Sequence, residues 1–168
     1  MAMTTSTDEQ DTAAPAPPPE FELVQKAVEG LVESVSWEPP DTARVEVRAG
    51  KLRTKRIDVV FGQKNRQGEP VVCIRAECGP AKPTVKSVMF RYNVTLRYGK
   101  YDVEKGENGE EIAVLRHYAA RARLTPMHLR EIVESIFNDS EQLRCELALD
   151  ERTYPWQATD PSTKQPWR

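Results

Sequence analysis

Three successive runs between Ala43 and Gly79 alternate apolar with charged residues, and only short polar connectors separate them. In "ARVEVRAG", Ala43, Val45, Val47 and Ala49 share one side while Arg44, Glu46 and Arg48 share the other. A period of two is the signature of a strand with one wet face. Gly50 opens a turn into "RTKRIDVVFG", which turns Ile57, Val59 and Phe61 inward, and "NRQG" leads to "EPVVCIRAECG", with Val72, Ile74 and Ala76 inward. Connectors this short join antiparallel neighbours, because a parallel return needs a long crossover. A sheet that is apolar on one side must then be covered on that side by other elements.

Those covers are legible as helical spacings. "FELVQKAVEGLVESVSW" places Phe21, Val24, Val28, Leu31, Val32 and Val35 at intervals of three and four, before Pro39-Pro40. "PTVKSVMFRYNVTLRYG" reads as a second helix, with Thr84 as N-cap, a stripe of Val85, Val88, Met89, Tyr92 and Leu96, and Gly99 at a left-handed C-terminal stop. "KYDV" and "EIAVLRHYA" flank the polar loop "EKGENGE" and form a hairpin. The last helix opens on Thr125 with Pro126 in its first turn and carries Leu129, Ile132, Val133, Ile136, Ser140, Leu143 and Leu147 on one stripe. The predicted class is α+β: an antiparallel sheet of about five strands and three helices, in the order α-β-β-β-α-β-β-α.

The flanks differ in composition. Residues 1–19 are Thr, Ser, Ala and Asp followed by a proline run, too poor in apolar surface to offset ordering entropy, and read as a disordered arm. The run serves as a solubilising tail or as a polyproline II ligand. Residues 20–149 form the predicted domain. Residues 150–168 form a tail in which Pro155-Trp156 and Pro166-Trp167 repeat one pair, and tryptophans there call for a docking site on the parent domain or on a partner.

Charged residues make up 30% of the chain with a formal net charge of −2, which speaks against a generally nucleic-acid-binding surface. The opening lacks the basic and apolar regions of a secretory signal, so a cytoplasmic protein is expected, without a membrane partner. Cys73, Cys78 and Cys145 make no closed disulfide framework and suit no zinc or redox spacing, so buried or half-buried thiols are expected. No phosphate loop, nucleophile elbow or metal-ligand spacing around His117 or His128 is present, so neither a cofactor nor a metal nor an enzymatic activity is predicted.

Candidate interaction residues remain. Tyr98 and Tyr101 flank the second helix and serve a contact surface or packing equally well. Trp156 and Trp167 join them as candidate partner contacts. Asn93 reads as a helix residue bonding locally near its C-terminal turns, against orienting a ligand or bridging two subunits. The first hairpin gathers Arg44, Arg48, Lys51, Arg53, Lys55 and Arg56 against Glu46. Such a ribbon grips phosphates, docks on the acidic first and last helices of another copy, or stands solvated as a guard against aggregation.

The segments "FRYNVTLRYGKYDVE", "GEEIAVLRHYAA" and "LTPMHLREIVESIFNDSEQL", within residues 84–148, resemble the type III secretion chaperone-like fold. They also resemble the YbjN-type proteins, often labelled bacterial sensory transduction regulators. What the resemblance implies is a small, nucleotide-independent protein-binding domain, commonly dimeric, and the expectation is a non-enzymatic module, a homodimer, that binds a polypeptide partner through sheet and helix surfaces. The alternative expectation is a nucleic-acid-associated regulator using the basic hairpin 44–56.

Overall fold

The computed structural model describes residues 16–153, with side chains to residue 146. The elements run α1 (Pro19–Val28), β1 (Ser34–Glu38), β2 (Thr42–Arg48), β3 (Thr54–Lys64), β4 (Pro70–Pro80), α2 (Pro83–Tyr92), β5 (Lys100–Lys105), β6 (Glu111–Ala120), a 3-10 turn (Arg121–Arg123) and α3 (Pro126–Thr153). The strands form one six-stranded sheet in the order β1-β2-β3-β4-β6-β5, and every pairing is antiparallel. The α+β class is therefore observed, with one strand more than the alternation predicted.

The extra strand comes out of the segment read as the end of the first helix. α1 stops at Val28 because Gly30 takes a left-handed φ of 72°, the usual way to end a helix just beyond its cap. Val35 and Trp37 then alternate with Ser34, Ser36 and Glu38 along the margin of β2, with Val35 opposite Val45 and Trp37 opposite Ala43. Trp37 packs between Phe21 of α1 and Phe61 of β3, ring centroids 6.0 and 6.1 Å away.

The inward sets behave as their alternation requires. Ala43, Val45, Val47, Ile57, Val59, Phe61, Val72, Ile74 and Ala76 are buried under the helices. α3 supplies the other half of the core, and its stripe of Leu129, Ile132, Val133, Ile136, Ser140 and Leu143 is fully buried. Each such aliphatic side chain contributes about 1.5–3 kcal/mol relative to exposure. The Thr125 hydroxyl accepts from the His128 amide at 3.2 Å, so the predicted N-cap is made. Ser140 is satisfied in that core by donating to the Phe137 carbonyl at 3.0 Å. α2 begins one residue before the expected cap: Lys82 is the N-cap, and Pro83 occupies the first turn. α2 is also shorter than predicted, ending at Tyr92.

Residues 1–15 of the predicted arm, and Trp156 and Trp167 of the predicted tail, lie outside the described residues, as does the Leu147 side chain. Among the described residues no helix is long and apolar enough to cross a membrane.

Candidate functional site

The helices cover one face of the sheet, and the opposite face carries charge. Register aligns Arg44, Asp58, Arg75 and Arg116 in a single row across β2, β3, β4 and β6. Asp58, only 8% exposed, sits at its centre and meets Arg44 Nε at 3.4 Å, Arg56 Nε at 3.4 Å and an Arg75 terminal nitrogen at 3.5 Å. Arg75 and Arg116 oppose one another directly, a like-charge pair that would repel. Glu104 relieves it by offering one oxygen to each, at 2.7 and 3.2 Å, while Arg116 also holds Asp102 at 3.2 Å. The Arg116 Nε is buried without a hydrogen-bond partner among the described residues. Chemically the face is a cross-braced layer whose acids and bases largely neutralise each other.

At one end of this face Tyr118 stands opposite Cys73, itself opposite Val60. Cys73 is buried beneath, and that burial pushes its thiol above the ordinary range. Cys78 is buried on the helix side, its thiol pushed up to about 11 by burial, while Cys145 is exposed, contrary to expectation. Two thiols are sequestered in one strand on opposite faces, and one meets solvent.

The basic hairpin does not form a single charged surface. Arg44 and Arg56 belong to the outer network, Arg44 also donating to Glu38 at 2.8 Å. Arg48 pairs with Glu33 beside β1. Arg53 and Lys55 point to the helix side, where Arg53 forms a fork with Glu141 of α3, one arm 3.1 Å long. Lys55 donates to the Glu77 carbonyl and lies 4.0 Å from Glu141. Burial lowers the Lys55 pKa despite that acid. Burial alone would raise Glu141, but the Arg53 and Arg144 guanidiniums outweigh it and hold the carboxyl below its usual range. Lys51 faces water at the tip. Most of the charge that suggested a phosphate grip is thus spent within the fold.

Tyr101 is 3% exposed and donates its hydroxyl to the Asp139 carbonyl at 2.6 Å, so it packs in the core and offers nothing to a partner. Burial raises its pKa far above the ordinary phenol. Tyr98 is half-buried, edge-on to His117 at 5.4 Å and tilted over His128 at 6.0 Å. Its hydroxyl donates to Glu131 at 3.1 Å, and Arg97 lies over the ring. Among the described residues no three potential metal ligands of the His, Cys, Asp and Glu types stand together.

The two sheet edges differ. On β5, Asn93 reaches from the end of α2 and mimics a neighbouring strand: its amide donates to the Tyr101 carbonyl at 3.1 Å and accepts the Tyr101 N–H at 2.6 Å. The next outward amide, Val103 N–H, is taken by Asp102 at 2.8 Å. The local bond expected of Asn93 is replaced by this long-range one. On β1, the alternation of ladder bonds decides which groups turn outward. Ala49 N–H bonds the Arg53 carbonyl and Phe61 N–H the Asp41 carbonyl, so odd residues of β2 bond β3 and even ones bond β1. In β1 the groups of Ser34, Ser36 and Glu38 therefore face β2, and those of Val35 and Trp37 face outward. Among the described residues nothing pairs with that margin. Sequence reasoning missed this edge, although Gly30 and the Ser-Val-Ser-Trp-Glu alternation both signalled it.

No protein-family model matches the chain, and no curated protein matches it either.

Proposed function

We propose that this protein is a non-enzymatic polypeptide-binding module that holds an extended segment of a partner along β1. The observation that carries the reading is the unequal treatment of the two edges. Side chains occupy the outward groups of Tyr101 and the outward Val103 N–H on β5, whereas among the described residues the Val35 and Trp37 backbone has no partner, and β1 contains no lysine, proline or bulge. Strand addition uses such a margin, main-chain bonds supplying affinity and alternate side chains supplying selection. The charges of the outer face beside it are largely paired, Glu38 of β1 with Arg44 among them, so a ligand strand there meets the small Ser34 and Ser36 side chains and a carboxylate already held. The resemblance of residues 84–148 to secretion chaperone-like domains, which hold extended client segments, supports the same class of work.

The test is a peptide library screened against the full chain, with amide exchange as the readout. A bound peptide should protect the Val35 and Trp37 amides. Val35→Pro removes an N–H that points away from β2, so it should abolish binding while the far-ultraviolet spectrum and cooperative melt persist. Peptide binding that leaves both amides unprotected and survives Val35→Pro would refute the reading.

A further inference from the structure

A cavity of about 180 Å³ lies between the end of α2, the connector that follows it and the second half of α3. The connector contributes Thr95 and Leu96, and α3 contributes Asp139, Gln142 and Leu143. Tyr92 and Tyr101 complete the lining. The connector is fixed at both ends, by Asn93 bonded to the Tyr101 backbone and by the Gly99 N–H donated to His117. The cavity is therefore formed before anything enters it, and a ligand bears little ordering cost.

The hydroxyls around it have already donated their protons within the fold. Thr95 donates to the Tyr92 carbonyl at 3.0 Å, Tyr92 donates to Glu146, and Tyr101 donates to the Asp139 carbonyl at 2.6 Å. A hydroxyl that has given its one proton has only lone pairs left to offer. The Asp139 carboxylate receives the Ser135 hydroxyl on Oδ2 at 3.0 Å, while its Oδ1 has no partner among the described residues. Among the described residues no lysine or arginine lines the space. Acceptors and a carboxylate thus surround a cavity that holds no cation of its own, with fully buried Leu143 and part-buried Leu96 as its apolar surface.

We propose that this cavity binds a small primary ammonium compound. Its charge answers Asp139, and its three N–H donors match a lining rich in acceptors, the Tyr92 and Thr95 oxygens among them. A short alkyl stem lies on Leu96 and Leu143. An anion would meet the carboxylate with no counter-charge, and a neutral alcohol would bring one donor to several acceptors. A quaternary ammonium would carry the charge without the donors. An apolar cavity of about 150 Å³ holds benzene, so this one limits its ligand to about six heavy atoms. No lining residue belongs to β1, and the site stands apart from strand addition.

Titration of the full chain with n-butylammonium tests it, followed by calorimetry and by the methyl signals of Leu96 and Leu143. Dissociation near about 1 mM is expected for a ligand of this size. n-Butanol lacks the charge and tetramethylammonium lacks the donors, so each should bind about tenfold more weakly or worse. Asp139→Asn keeps an acceptor for Ser135 and the carbonyl for Tyr101, and should weaken n-butylammonium about tenfold or more. Gln142→Lys, at an exposed position of α3, adds a cation to the lining and should abolish binding while the melt is unchanged. No methyl shift at about 20 mM n-butylammonium, equal binding of n-butanol or tetramethylammonium, or unchanged affinity in both variants would each overturn the proposal. Val35→Pro should leave ammonium binding intact, so this reading and the strand-addition reading fail separately.

Discussion

Replacing Asn93 by alanine removes a side chain that acts as a strand. Two hydrogen bonds disappear, at 2.6 and 3.1 Å, and they are the pair that occupies the outward groups of Tyr101. A hydrogen bond of this kind contributes about 0.5–1.5 kcal/mol net. Tyr101 is buried, so the abandoned N–H and carbonyl do not simply pass to water, and each unsatisfied group costs about 1–3 kcal/mol when it stays dry. Partial hydration brings the expected loss to about 2–4 kcal/mol, a large share of a domain stability of about 5–15 kcal/mol. The midpoint of thermal unfolding should fall by roughly 10 °C. Guanidinium unfolding monitored by tryptophan fluorescence measures the free energy, and exchange at the Tyr101 amide reports the lost partner directly. Asn93→Leu keeps volume while deleting both bonds, so it should lose at least as much and separates bonding from packing. A cost below about 0.5 kcal/mol for Asn93→Ala, or a Tyr101 amide that stays protected, would refute the strand-mimic reasoning.

Gly99→Ala should cost about 3 kcal/mol or more in urea unfolding, because φ there is 76° and an added Cβ would stand 2.5 Å from the Arg116 carbonyl oxygen; a cost under about 1 kcal/mol would show that the loop relaxes freely. Acidification should destabilise the protein in two separable windows. His117 accepts the Gly99 N–H on Nδ1 at 3.0 Å, and burial, then His128, push its pKa down, so the folded state resists the proton that the unfolded chain accepts near ~6.5. That contribution is present above ~6.5 and is lost as pH falls through the folded value, whereas the depressed Glu141 carboxyl contributes above ~4.3 and loses its share below. His117→Asn, which keeps an acceptor for Gly99, should flatten the upper window alone in denaturant titrations between pH 7 and 3.

Much of the architecture was readable because its causes are local. The Ala43–Ala49 alternation, the Ile57–Phe61 set and the α3 stripe each sort their own side chains to one face, whatever lies opposite. The Thr125-Pro126 start is likewise a matter between neighbours, and its hydroxyl bond is made. The stretch from Leu31 to Trp37 misled because Val32 and Val35 fit a helical stripe while Val35 and Trp37 fit a strand. Gly30 was the local clue, and the free margin of β2 decided.

The candidate site was less legible than the fold. Asp58 is one acid among basic and apolar neighbours in sequence, and becomes the hub of three arginines only once β2, β3 and β4 are in register. Arg53 and Lys55 read as free charge until Glu141 arrives from α3. Tyr101 read as a possible contact until α3 supplied the Asp139 carbonyl.

By itself the sequence determined which side of each strand and helix is apolar, where the capped helix begins and that the layers are antiparallel, since these follow from periodicity and short connectors. The tertiary structure alone decided which edge is closed, which charges are spent and which side chains meet around a cavity. Helical bonds join residues a few positions apart, whereas ladder bonds, ion pairs and side-chain caps join residues whose distance along the chain says nothing of their distance in space.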